Sequence, residues 1–101
     1  MTPAAAYKRF NRLLWANRLP KATITFVTDA TLPSCYGITL QDDVCVQPVI
    51  LLNEKYPWGK TLIHEMIHVA EPLLPHGKTF TNLVEFHWRI ARTHLKRRKR
   101  T

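Results

Sequence analysis

Apolar positions in this chain recur with two periods, one near 3.6 residues and one of 2, and the switches between them separate helices from strands. The first stretch follows the helical period: Ala6, Phe10, Leu13, Leu14 and Asn17 share a face, while Lys8, Arg9 and Arg12 fall mostly on others. Thr2-Pro3 opens it with a capping hydroxyl and then a proline in the first turn. The helix should end near Arg18–Pro20, because residues ahead of proline avoid the α region. Ala22–Thr28 then alternates as a half-buried strand, and Asp29–Ser34 reads as loop. Cys35–Leu40 and Val44–Leu52 read as two more strands around the polar turn Gln41-Asp42-Asp43, with Pro48 implying an edge position or a bulge in the third.

The helical period returns from Trp58 to Glu71 and is stopped by Pro72 and Pro75. A third helix is predicted over Lys78–Leu95, with Phe80, Leu83, Val84, His87, Ile90, Ala91 and His94 on its inner face. The order α-β-β-β-α-α places the chain in the α+β class. At 101 residues it makes one domain, residues 1–95, followed by a basic tail over 96–101. The core should be thin enough that a bound metal would help to stabilise it.

Charge is arranged in blocks that sum to +8. Residues 1–28 carry Lys8, Arg9, Arg12, Arg18 and Lys21 and no acid, and residues 86–101 carry seven basic groups and no acid. All seven acids lie between them. The cluster Lys96-Arg97-Arg98-Lys99-Arg100 and the basic first helix suggest a polyanionic partner, most plausibly nucleic acid, against the plainer alternative of a solvated tail. Cys35 and Cys45 do not make a disulfide framework and read as buried thiols in a reducing compartment. With no apolar leader and no run long enough to span a membrane, the expected location is the cytoplasm.

The chemistry concentrates in His64-Glu65-Met66-Ile67-His68, followed by His76-Gly77. Two histidines four apart on a helix lie about 40° apart around its axis, so both imidazoles can reach one metal ion. Glu65, beside His64, lies near enough to address a water on that metal, which is the HExxH arrangement of zinc peptidases. A catalytic zinc takes three protein ligands and leaves a position for water. His76 is the leading third ligand, because the turn through Pro72-Leu73-Leu74-Pro75 can carry it back past the metal, with Gly77 lending backbone freedom. Glu71 and Glu85 are its rivals. Glu65 would then serve as general base, passing the proton on to the leaving amine. Tyr36, Tyr56, His87 and Arg89 are all open as a second electrophilic donor. His87 and His94 read first as packed side chains, as do Trp15, Trp58 and Trp88, although Trp58 could also line a substrate groove.

Trp58-Gly59-Lys60-Thr61-Leu62-Ile63 leading into the motif, and His76-Gly77-Lys78-Thr79-Phe80 after it, resemble the SprT-like zinc metallopeptidases, the family of Spartan-like protease domains. The likeness extends over about residues 7–86, through Tyr7–Leu14, Leu19-Pro20, Cys35-Tyr36-Gly37 and Ile50-Leu51-Leu52-Asn53. It implies a compact zincin-like domain, zinc on His64, His68 and His76, Glu65 as catalytic base, and cleavage of DNA-associated or DNA-crosslinked proteins. The chain departs from the family in a shorter spacer between His68 and His76 and in lacking a cysteine-rich zinc ribbon, whose DNA-holding role Lys96–Arg100 would take over. The alternatives are a DNA-binding module with a structural or vestigial zinc site, and a small peptidase whose basic ends are incidental.

Overall fold

Thr2 accepts a hydrogen bond from the Ala5 N–H through its hydroxyl at 3.1 Å, and with Pro3 behind it this cap starts helix α1, Pro3–Trp15. The computed structural model describes residues 1–41 and 47–100, with side chains through His94. After α1 come β1 Thr23–Val27, β2 Gly37–Leu40, β3 Val49–Asn53, α2 Gly59–Ala70 and α3 Lys78–Arg100. The α-β-β-β-α-α order and the α+β class are as the sequence pattern predicts. Among the described residues no helix is long and apolar enough to cross a membrane.

Helix α1 ends earlier than the approach to Pro20 implies. Ala16 and Asn17 both take left-handed backbone angles, φ 51° and 63°, which terminate the helix directly after Trp15. Asn11 then clamps the departing chain: its side chain donates to the Leu19 carbonyl and accepts from the Leu19 N–H, both at 3.0 Å. Tyr7 adds a bond to the Pro20 carbonyl at 2.6 Å. The buried face is accordingly Ala6, Tyr7, Phe10, Asn11 and Trp15. Leu13 is exposed, and Asn17 lies beyond the helix on the surface, so both leave the predicted inner face.

The sheet has the order β1-β3-β2, with β1 parallel and β2 antiparallel to β3. β3 is therefore the central strand, not an edge. Pro48 sits one residue before it, where its missing N–H costs no ladder bond and its carbonyl still accepts the Thr23 N–H at 3.0 Å. The predicted turn at Asp42-Asp43, the start of the third strand at Val44, and Cys45 lie outside the described residues. Cys35 is a free thiol.

Ile50 and Leu52 on β3 meet Leu62, Ile63, Met66 and Ile67 of α2, with Phe10 from α1 and Phe80 and Val84 from α3 completing the core. Helix α3 extends to Arg100, past the end predicted at Leu95; nothing helix-breaking interrupts the lysines and arginines. Its inward residues include Phe80, Val84 and Ala91, as the periodicity predicts. Trp88 packs so tightly over Gly59 that a Cβ there would lie 2.7 Å from its ring.

Candidate metal centre

His64 and His68 project from successive turns of α2, one side of which is buried through Leu62, Ile63, Met66 and Ile67. After Ala70 the chain turns through Glu71, Pro72, Leu73, Leu74 and Pro75 and brings His76 back beside them. The three imidazoles form one cluster: ring centroids lie 5.0 Å (His64–His68), 5.3 Å (His64–His76) and 4.8 Å (His68–His76) apart. Their candidate ligand nitrogens all fall within 4.8 Å of one another. The Nε2 atoms of His68 and His76 are 3.0 Å apart. A tetrahedral zinc at about 2.0–2.1 Å from each nitrogen would separate the nitrogens by about 3.3 Å, so small ring rotations bring the set onto one ion. These histidines are thus close enough to bind a metal ion, and the spacer between His68 and His76 reaches the cluster.

Electrostatics favour neutral rings here. Burial, then the neighbouring His68 and His76, push the His64 pKa down to about 4. Burial, then His76, lower that of His68 as well. Imidazoles must be unprotonated to act as ligands, so the surroundings hold His64 and His68 in the binding form at neutral pH.

Glu65 follows His64 on α2 and is only 4% exposed. Thr39 on β2 donates its hydroxyl to Glu65 Oε1 at 2.7 Å, while Oε2 lies 4.0 Å from His64 Nε2. One carboxylate oxygen is thereby held and the other is left toward the imidazoles. Burial pushes the Glu65 carboxyl above the usual carboxylate range, and the Thr39 bond draws it part of the way back. Thr39 did not stand out in the sequence, because a threonine 26 positions before a glutamate carries no local signal.

The rival ligands lie elsewhere. Glu85 is exposed and pairs with Lys60. Glu71 is exposed and ends α2, its backbone N–H bonding the Ile67 carbonyl at 2.7 Å. Neither joins the cluster, which among the described residues consists of His64, His68 and His76. Gly77 adopts no left-handed angle, so the backbone freedom expected of it beside the ligand is not used.

Two clefts meet at the imidazoles. One, of about 410 Å³, runs past Gly37, Ile38, Thr39, Gln41 and Pro72, and the other, of about 760 Å³, past Cys35, Tyr36, Tyr56, Pro57, Thr61 and Val84. Both include Gly37, His64, Glu65 and His76. Of the four possible electrophilic donors, Tyr36 and Tyr56 line the second cleft, packed edge to face at 4.4 Å. His87 instead stacks on Trp15 at 4.9 Å and reaches the Leu83 carbonyl, and Arg89 lines neither cleft. Trp58 packs against the core and lines neither of these clefts.

The geometry therefore brings together three histidines close enough to bind a metal ion, with a buried carboxylate beside them and clefts meeting at the cluster. No protein-family profile matches the chain, and neither curated proteins nor solved structures yield a match.

Proposed function

We propose that this protein is a zinc-dependent endopeptidase of the SprT-like type, acting in the cytoplasm on proteins associated with or crosslinked to DNA. The observation that carries the reading is the buried Glu65 carboxylate, braced by Thr39 next to three clustered imidazoles at the junction of two clefts. A structural zinc site has four protein ligands and no use for a base, which weighs against the alternative of a DNA-binding module with a structural or vestigial site. Three imidazoles suit zinc among the divalent ions.

His64, His68 and His76 would hold the ion, which when bound supplies an electrophile for the scissile carbonyl and a water acidic enough to attack it. Glu65 takes the proton of the attacking water and delivers it to the leaving amine. Its raised pKa suits both roles, since the proton must be accepted and then given up. Tyr36 or Tyr56 donates to the developing oxyanion. β2 gives Gly37, Ile38 and Thr39 to the cleft wall and is an edge strand, so an extended peptide can lie beside it. DNA is held by Lys8, Arg9 and Arg12 of α1 and by Lys96–Arg100 at the end of α3.

The test is degradation of a basic DNA-binding protein, with and without single-stranded DNA, by wild type, Glu65→Gln, His76→Ala and a chain lacking 96–101. Wild type should carry about one zinc per chain and cleave. Glu65→Gln should keep zinc and lose cleavage, and His76→Ala should lose both. The truncated chain should bind DNA more weakly, with a shallower salt dependence. Cleavage that survives in Glu65→Gln refutes the assigned base, and an unchanged salt slope removes the basic cluster from DNA binding.

A further inference from the structure

His76 stands on an exposed turn. Glu71, Pro72, Leu73 and Pro75 before it are exposed, and so is Gly77 after it. Within that turn Leu74 packs against the core and its N–H bonds the Glu71 carbonyl at 3.1 Å, and the His76 ring reaches His68 with their Nε2 atoms 3.0 Å apart. The ring meets His64, His68 and Phe80, the last at a centroid distance of 4.9 Å and nearly perpendicular. Phe80 also meets His64 at 4.7 Å and His68 at 4.6 Å. One phenyl ring thus touches all three candidate ligands while being 2% exposed itself. It lies in the first turn of α3, four residues after His76, where the Thr81 N–H bonds the Gly77 carbonyl at 2.9 Å and ties the end of the turn to the helix.

We propose that Phe80 is the positioning residue of the metal centre, a fixed aromatic floor that gathers the three imidazoles before an ion arrives and keeps water from one side of it. This rests on the zinc reading above and adds to it what sets the affinity. Aromatic pairs at these separations attract at their edges and faces, so each imidazole has a preferred place against the ring. Ordering of the His76 turn is then completed during folding, and ion binding does not bear that cost. The apolar shell around a metal site controls its solvent access, and outer partners of ligands commonly change metal affinity 10- to 100-fold.

The experiment measures zinc affinity of the full chain by chelator competition, and the visible spectrum of the cobalt-loaded protein, for wild type, Phe80→Leu and Phe80→Met. Phe10→Leu serves as control, because Phe10 is equally buried in the same core and makes no ring contact with the three histidines. Thermal melting of the metal-free proteins measures general destabilisation separately. Both Phe80 variants should bind zinc about 10- to 100-fold more weakly and lose tetrahedral cobalt absorption, whereas Phe10→Leu should melt lower yet bind as wild type does. Phe80→Met fills most of the space with a flexible chain and keeps the comparison readable if the leucine variant folds poorly. Affinity within twofold of wild type in either folded Phe80 variant overturns the proposal, as does an equal loss in Phe10→Leu. Wild-type protein that binds no zinc overturns the metal reading itself, a result distinct from both.

Discussion

Thr39→Val is the sharpest probe of how Glu65 is held. The substitution keeps the β-branched shape on β2 and removes the hydroxyl that donates to Glu65 Oε1 at 2.7 Å. A hydrogen bond to a charged group is worth about 1.5–3 kcal/mol, and Glu65 at 4% exposure has little water to take its place. With a urea slope of about 1.5 kcal/mol per molar, the unfolding midpoint of the metal-free protein should fall by roughly 1–2 M at neutral pH. The loss should depend on pH. Burial holds the Glu65 pKa above its unfolded value, so below the folded pKa the folded chain keeps a proton the unfolded chain releases, and that stability disappears as pH rises through it. Removing the Thr39 donor raises the folded pKa further. The variant's deficit should therefore be smallest in acid, where the carboxyl is protonated in both proteins, and grow toward neutrality. His64 and His68 titrate in both proteins, so their contributions cancel in the difference. Urea titrations at several pH values in the presence of a chelator measure it, with Thr39→Ser recovering most of the loss. A deficit independent of pH, or none, would refute the claim that this hydroxyl serves the ionised carboxylate.

Two backbone positions make further tests. Ala16 closes α1 at φ 51°, an angle that costs an L-residue about 1 kcal/mol, so Ala16→Gly should raise the melting temperature by about 4–8 °C in calorimetry. Gly37→Ala would put a Cβ 2.9 Å from Thr61 Cγ2 and 3.0 Å from the Leu51 carbonyl oxygen, and should cost about 1–3 kcal/mol by denaturant unfolding. Gly77→Ala meets nothing within 4 Å, and should change stability by less than about 0.5 kcal/mol and leave zinc affinity intact.

The histidine cluster was legible because its parts are local. A four-residue spacing on a helix fixes a shared face, and two prolines soon after it force a turn that carries His76 back. What supports the cluster was not legible. Thr39 reaches Glu65 across the fold, and Phe80 stands in the sequence as an apolar position of a helical stripe and the last residue of the His76–Phe80 motif, with nothing to mark that it faces three imidazoles. Element ends were misread where a side chain outweighed the local pattern. Asn11 captures Leu19 and ends α1 short of the proline that seemed to decide it. Pro48 suggested an edge position or a bulge, yet one residue's displacement from the ladder makes it harmless before the most buried strand of the sheet.

The strand order also sets a schedule for the chain as it is made. Thr23 finds its partner only at Val49, and its neighbours on β1 pair as far along as Asn53, so the first strand leaves the ribosome with nothing to zip against. β2 and β3 are close in sequence and can pair as soon as both have emerged. Closing the distant parallel pair carries the larger entropic cost and comes later. The helix bearing His64 and His68 follows directly after β3, which means that the platform for the imidazole cluster is synthesised just as the sheet beneath it becomes able to close.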